Sequence, residues 1–146
     1  MRSIFVGVMV AAMLAAGIGS LAAQGAGRSV WGAVYTSAQA DRGKALFADN
    51  CAKCHGASLA GDEMAPPLAG PQFLSNWNGE TVADLVDRIH TSMPADNPGK
   101  LSVASSTDVA AFIFFSNQMP AGAAELPRDQ PVQAQIRIDA LNPAAK

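Results

Sequence analysis

Both cysteines of this 146-residue chain stand in one hexapeptide, Cys51-Ala52-Lys53-Cys54-His55-Gly56, and one of its two histidines follows the second cysteine. C-x-x-C-H is the attachment signal for c-type haem. Two thiols at this spacing can add across the two vinyl groups of a haem, and the adjacent imidazole then sits under the iron as its fifth ligand. Competing chemistries fit less well. A thioredoxin-like redox pair needs a βαβ context, and the chain has no convincing strand pattern. A zinc site needs four ligands, and the only further nitrogen or thiolate donor is His90. A disulfide across two residues closes a loop too small to stabilise much by chain entropy.

The iron's sixth position decides between electron transfer and ligand chemistry. A thioether there gives a His/Met pair and a raised reduction potential, whereas an open position binds gas or peroxide. Outside the leader described below, the methionines are Met64, Met93 and Met119. Met64 follows His55 too closely to reach the opposite haem face with ease. Met119 follows the last predicted helix, and both of these are read as core filler. Met93 leaves an amphipathic helix in a Pro-braced loop able to reach the far face, so it is the expected ligand. His90, near that helix's C-terminus, is a rival donor but is read as a partly exposed helix residue. Asp62-Glu63 and Asp84/Asp87 are read as solvated faces.

These residues need elements to hold them. Thr36 with Gln39 predicts a capping box, opening a helix whose Gly43, Leu46, Phe47 and Cys51 share one face. The Gly- and Pro-dense stretch 57–72 is a loop. A second helix begins at Asn78 or Gly79. Its stripe is Val82, Leu85, Val86 and Ile89, Glu80 lies in its first turn, and Pro94 ends it. Ser105 with Asp108 predicts the cap of a third helix, with Val109, Phe112, Ile113 and Ser116 inward and Asn117 and Pro120 at its end.

Arg2, the apolar run Ile4–Leu14 and the small-residue exit Ser20-Leu21-Ala22 describe a secretory signal peptide over 1–22. The alternative is a retained membrane anchor, since the uncharged stretch 3–27 is long enough to span a bilayer. Export implies a periplasmic protein with its cysteines in an oxidising compartment. The formal charge is −2, one unit more negative once Arg2 is removed, with no basic run. Nucleic-acid binding has no electrostatic support. The expected plan is an extended arm lying on the surface over 23–35, a haem domain over 36–118 and a tail over 119–146 packed across it as a strap. So short a core commonly needs a cofactor as a staple.

The order helix, CAKCHG, loop, helix, Met-Pro loop, helix resembles a class I cytochrome c from Gln39 to Gln118. The resemblance implies an all-α, cytochrome c-like fold with three main helices around one covalently attached haem c. It implies haem thioethers at Cys51 and Cys54, a proximal ligand at His55 and a distal one at Met93. The Pro-x-Leu-x-Gly segment Pro66–Gly70 would supply the Pro66 carbonyl to His55. Gly43 and Phe47 would cross Val109 and Phe112. A narrower likeness runs through MAPPLAG, FLSNWNGETVADL, TSMPADNPGKLS, MPAGAAELP and IRID. These resemble the small cytochromes that accompany or are fused to quinoprotein (PQQ-dependent) alcohol dehydrogenases. Trp77 and Asn78 match a segment near the haem propionates there, so Trp77 is either a propionate donor or a core anchor. Met119 stands where an aromatic residue is expected, and any quinoprotein is expected to be a separate partner. The implied function is single-electron carriage, not enzymatic catalysis, between a quinoprotein dehydrogenase donor and a downstream cytochrome or oxidase. The alternatives are a haem subunit fixed in a dehydrogenase complex and a haem enzyme or ligand sensor with an open sixth site.

Overall fold

Thr36 opens the first long helix, α1 (Ser37–Asn50), its hydroxyl accepting the Gln39 amide at 3.1 Å. The computed structural model describes residues 28–145. The leader read over 1–22 and the beginning of the arm lie outside the described residues. After α1 come α2 (Ala52–His55), α3 (Pro71–Trp77), α4 (Val82–Ser92), α5 (Val103–Ser116) and α6 (Gln130–Gln133). Two-residue strands β1 (Arg28–Ser29) and β2 (Ile136–Arg137) pair in parallel, Arg28 opposite Ile136. The architecture is therefore all-α, with α1, α4 and α5 as the three main helices. None of the described helices is long and apolar enough to cross a membrane.

Three local readings need correction. The box at Thr36 is half made, because the Gln39 side chain turns inward: its Nε2 donates to the Leu126 carbonyl at 3.2 Å and its Oε1 accepts the Leu126 amide at 2.7 Å. A full box forms instead at Thr81, whose hydroxyl accepts the Asp84 amide while the Asp84 carboxylate accepts the Thr81 amide. So α4 starts at Val82, four residues after Asn78 and three after Gly79. The cap of α5 is Ser102, accepting the Ser105 amide at 3.1 Å. Asp108 is thereby left inside α5, where it accepts from Arg42 Nε at 3.0 Å and Nη2 at 3.2 Å.

The core centres on the crossing of α1 with α5. A Cβ built on Gly43 would overlap the Asp108 carbonyl group and come within 3.0 Å of the Phe112 Cβ, so only glycine permits this approach. Beside it the Phe47 and Phe112 rings pack at 5.3 Å between centroids, tilted by 57°. From Ser106 to Phe114, α5 is buried all round rather than along a single stripe. The α4 residues Val82, Leu85, Val86 and Ile89 are all buried, as their spacing requires.

The chain ends enter this core. Val30, Val34 and Tyr35, in the described part of the arm, are buried. Tyr35 Oη donates to the Met119 carbonyl at 2.5 Å. Leu126, Ile136 and Ile138 of the tail are buried as well. Met119 is core filler as expected, whereas Met64 is 89% exposed and is not.

Candidate functional site

The cysteine motif begins where α1 ends. Cys51 closes α1, its amide donating to the Phe47 carbonyl at 2.8 Å, and also starts α2. The remaining motif is one helical turn, in which the His55 amide donates to the Cys51 carbonyl at 3.0 Å. One turn brings residues i, i+3 and i+4 to a common side, and here these are Cys51, Cys54 and His55. Both thiols are unpaired, Cys51 half-buried and Cys54 exposed. Burial pushes the Cys51 thiol up to about 11, the reverse of the lowered value of a redox-active C-x-x-C thiol. Among the described residues no three His, Cys, Asp or Glu side chains converge to hold a metal ion by themselves.

Gly56, at φ +72°, ends α2 and begins a loop with its own hydrogen-bond skeleton. The Gly61 amide donates to the His55 carbonyl at 2.9 Å, and the Leu68 amide to the Leu59 carbonyl at 2.8 Å. Asp62 Oδ1 accepts the amides of Met64 and Ala65 at 2.7 and 2.9 Å. This folds the turn back over Gly61, where any Cβ would meet the Pro67 nitrogen at 2.6 Å. Asp62 therefore shapes the loop and is not merely a solvated charge. Its sign in the sequence is an aspartate leading a short turn, whose carboxylate pairs with amides just ahead of it.

The loop delivers the Pro66 carbonyl oxygen to 2.8 Å from His55 Nδ1. A carbonyl only accepts, so Nδ1 carries the proton and Nε2 keeps a lone pair for a metal. The buried imidazole is thus set in the tautomer and orientation a ligand needs. Half-buried apolar residues from separate segments, Leu46 on α1, Ala52 on α2, Leu68 and Ala69 in the loop and Leu74 on α3, pack against the core. Two thiols and an oriented imidazole on one helical turn fit a haem, for which Cys51 and Cys54 would be the anchors and His55 the iron ligand. The haem would supply one-electron Fe(II)/Fe(III) chemistry.

Met93 is half-buried and caps the C-terminus of α4, its amide donating to the Ile89 carbonyl at 3.2 Å. The loop that follows is pinned at its far end, because His90 Nδ1 donates to the Leu101 carbonyl at 2.7 Å. His90 thus braces the Met93 loop. Trp77 ends α3, half-buried, with its ring 6.2 Å from that of Phe73. It lines an open cavity of about 570 Å³ with Glu80, Asp84 and Asp87. Asn78, matched with it, holds the tail by accepting the Ala140 amide at 2.9 Å. The structure therefore brings Cys51, Cys54, His55 and Pro66 together, while Trp77 and Met93 stand on separate elements. Asn117, read only as a helix stop, also reaches the Pro66 loop; its partners lie 47 and 49 residues away, beyond any local pattern.

No curated protein matches this chain. Among solved structures, the sulfane dehydrogenase SoxCD from Paracoccus pantotrophus aligns at 26% identity with a TM-score of 0.49. The alignment covers 73% of this chain but 57% of that one, so the chain spans little more than half of its length. A family description, cytochrome c oxidase, cbb3-type, subunit III, matches residues 38–113. That span exceeds half of the chain and includes the whole C-x-x-C-H turn, the Pro66 loop and Met93. The chain belongs to this family, and it is a c-type cytochrome with an electron-transfer domain.

Proposed function

We propose that the protein is a periplasmic single-electron carrier with one haem c, bound covalently through Cys51 and Cys54 and ligated by His55 and Met93. The observation that carries this reading is the 2.8 Å contact of His55 Nδ1 with the Pro66 carbonyl, immediately beyond the two cysteines. Such a contact also strengthens the imidazole as a donor. Met93 has the support of its place at the exit of α4, in a loop braced by His90. A thioether on the iron favours reversible electron transfer over ligand binding. A quinoprotein dehydrogenase as donor is supported by the resemblance of MAPPLAG, FLSNWNGETVADL and TSMPADNPGKLS. A downstream cytochrome or oxidase would take the electron, through the small transient interface usual for redox encounters. The rival role for the tail, as a strap onto a dehydrogenase subunit, has less support: Leu126, Ile136 and Ile138 are buried against the chain's own core.

The test is expression in a host equipped for cytochrome maturation. The intact mass is expected to equal the chain cut after residue 22 plus one haem, with no free thiol. The oxidised protein is expected to show the weak red absorption band of Met–Fe(III), and the reduced protein to bind carbon monoxide poorly. Met93→Ala is expected to abolish the band and open the iron to carbon monoxide. A Met93→Ala spectrum identical to that of the wild type would remove Met93 from the reading. A colourless product with two free thiols would remove the haem.

A further inference from the structure

The Pro66 carbonyl is only as well placed as the loop that carries it, and that loop is held from outside. Asn117, the buried C-cap of α5, has every polar group of its amide engaged. Its Oδ1 accepts the Gly70 amide at 2.9 Å. Its Nδ2 donates to the Leu68 carbonyl at 3.0 Å and to the Ile113 carbonyl of its own helix at 2.8 Å. The two hydrogens of one Nδ2 thus tie α5 to the loop, and Oδ1 ties the loop a second time two residues further on. Leu68 is in turn bonded through its amide to Leu59, and Gly61 is bonded to the His55 carbonyl. The distance from the grip to the Pro66 carbonyl is only two residues of chain.

We propose that Asn117 is a positioning residue for the iron ligand: it fixes the Leu68–Gly70 end of the loop to α5 and thereby sets the hydrogen bond between Pro66 and His55. This rests on the reading of His55 as the haem ligand. The consequence has a sign. A histidine whose Nδ1–H is held tightly by a carbonyl is a more basic ligand, which favours Fe(III). Releasing the loop weakens that bond and raises the reduction potential. General loosening that admits water to the haem acts the other way, because water stabilises the more charged ferric site. An upward shift therefore separates the positioning role from a merely structural one.

Asn117 has φ −91° and ψ 15°, a conformation open to any residue, so substitution there carries no backbone penalty. Beside it lies a cavity of about 330 Å³ lined by Trp31, Gly70, Leu74 and Gln118, which gives the loop room to move. The experiment compares full-length holo-protein with Asn117→Ala and Asn117→Asp by NMR in the diamagnetic ferrous state and by redox titration. In Asn117→Ala the Gly70 amide is expected to exchange with solvent about ten-fold faster, as befits loss of one hydrogen bond. The His55 Nδ1–H is expected to exchange faster as well, and the potential to rise. Asn117→Asp keeps an acceptor for Gly70 but has no donor for Leu68. It is expected to protect the Gly70 amide while still loosening the His55 Nδ1–H. Unchanged His55 exchange and potential in a folded Asn117→Ala would overturn the proposal, and so would a fall in potential. If Asn117→Ala does not fold, the His55 Nδ1–H exchange of Asn117→Asp decides alone, because the added carboxylate lowers the potential by its own charge. Failure of the ligand assignment looks different: the wild type itself would then show no ring N–H of an iron-bound histidine.

Discussion

At the scale of single residues, what distinguishes this site is how its polar atoms are committed. Each histidine bonds through Nδ1 to a carbonyl eleven residues later, His55 to Pro66 and His90 to Leu101. Each bond closes the loop that leads away from its helix. The start of α4 is fixed with similar economy. Thr81 and Asp84 cap it reciprocally, and the hydrogen bonds from the Thr81 side chain and backbone hold the Asp84 carboxyl below its ordinary value of 3.8. A depressed carboxylate stabilises the fold above its unfolded value and loses that contribution as pH falls through the folded one. The contribution of Asp84 is therefore complete at neutral pH, begins to fall near 3.8 and is lost as pH drops through the lower folded value. Thr81→Ala is expected to cost about 1 kcal/mol at pH 7. Asp84→Asn is expected to lower stability at pH 7 and to make the loss between pH 5 and pH 3 shallower. Urea denaturation at the three pH values checks both. Equal slopes for Asp84→Asn and the wild type would mean that the cap is idle.

Among the elements, the pair α1 and α5 governs the rest, because α1 ends in Cys51 and α5 ends in Asn117. Gly43 sits where the two backbones meet. Gly43→Ala is expected to push the helices apart or be expelled with strain, costing about 1–3 kcal/mol. Ala45→Gly, at an exposed position on the same helix, is the control: it costs about 1 kcal/mol through propensity alone. A thermal melt in which Gly43→Ala matches its parent would show that the crossing tolerates a methyl group. This is also the scale at which the sequence was most and least readable. The stripe of α4 stood out because its spacing reports burial directly. The C-x-x-C-H turn stood out because its residues are neighbours in the chain. By contrast α3 was hidden: its apolar residues Phe73, Leu74 and Trp77 follow directly on the Gly- and Pro-rich loop, and Pro71, read as a breaker, in fact opens the helix. Gln39 looked like half of a capping box because a box is local, yet its side chain pairs with Leu126, 87 residues away. Asp108 is spaced to support a cap at Ser105 for the same reason, yet it serves Arg42 across the crossing. Local pattern reads local bonds; the tertiary partners of Gln39 and Asp108 outcompete them, whereas Asn117 keeps its local place as the end of α5 and adds distant partners.

For the molecule as a whole, the ends of the described chain are structural members. β1 pairs with β2, the Gly79 amide donates to the Ile138 carbonyl at 2.8 Å, and the Ile138 amide donates to the Glu80 carbonyl at 2.8 Å. The tail thus stitches the arm to the link between α3 and α4, and its apolar side chains lie beneath the stitches. Burying Leu126, Ile136 and Ile138 is worth about 1.5–3 kcal/mol each. Together that is comparable with the entire net stability of a small domain, about 5–15 kcal/mol. A chain ending at Gly122 is therefore expected to lose cooperative unfolding or to accumulate as unfolded protein, even with haem attached, since the thioethers fasten only the first half of the core. Gln39→Leu tests the same joint without deletion. It leaves the amide and carbonyl of Leu126 buried without partners, at about 1–3 kcal/mol for each group. The tail should then exchange its amides faster while the spectrum of the iron stays as in the wild type, because the joint lies on α1 well before Cys51. If the shortened chain unfolds cooperatively at the temperature of the full one, the tail is a passenger and the haem-bearing helices are sufficient by themselves.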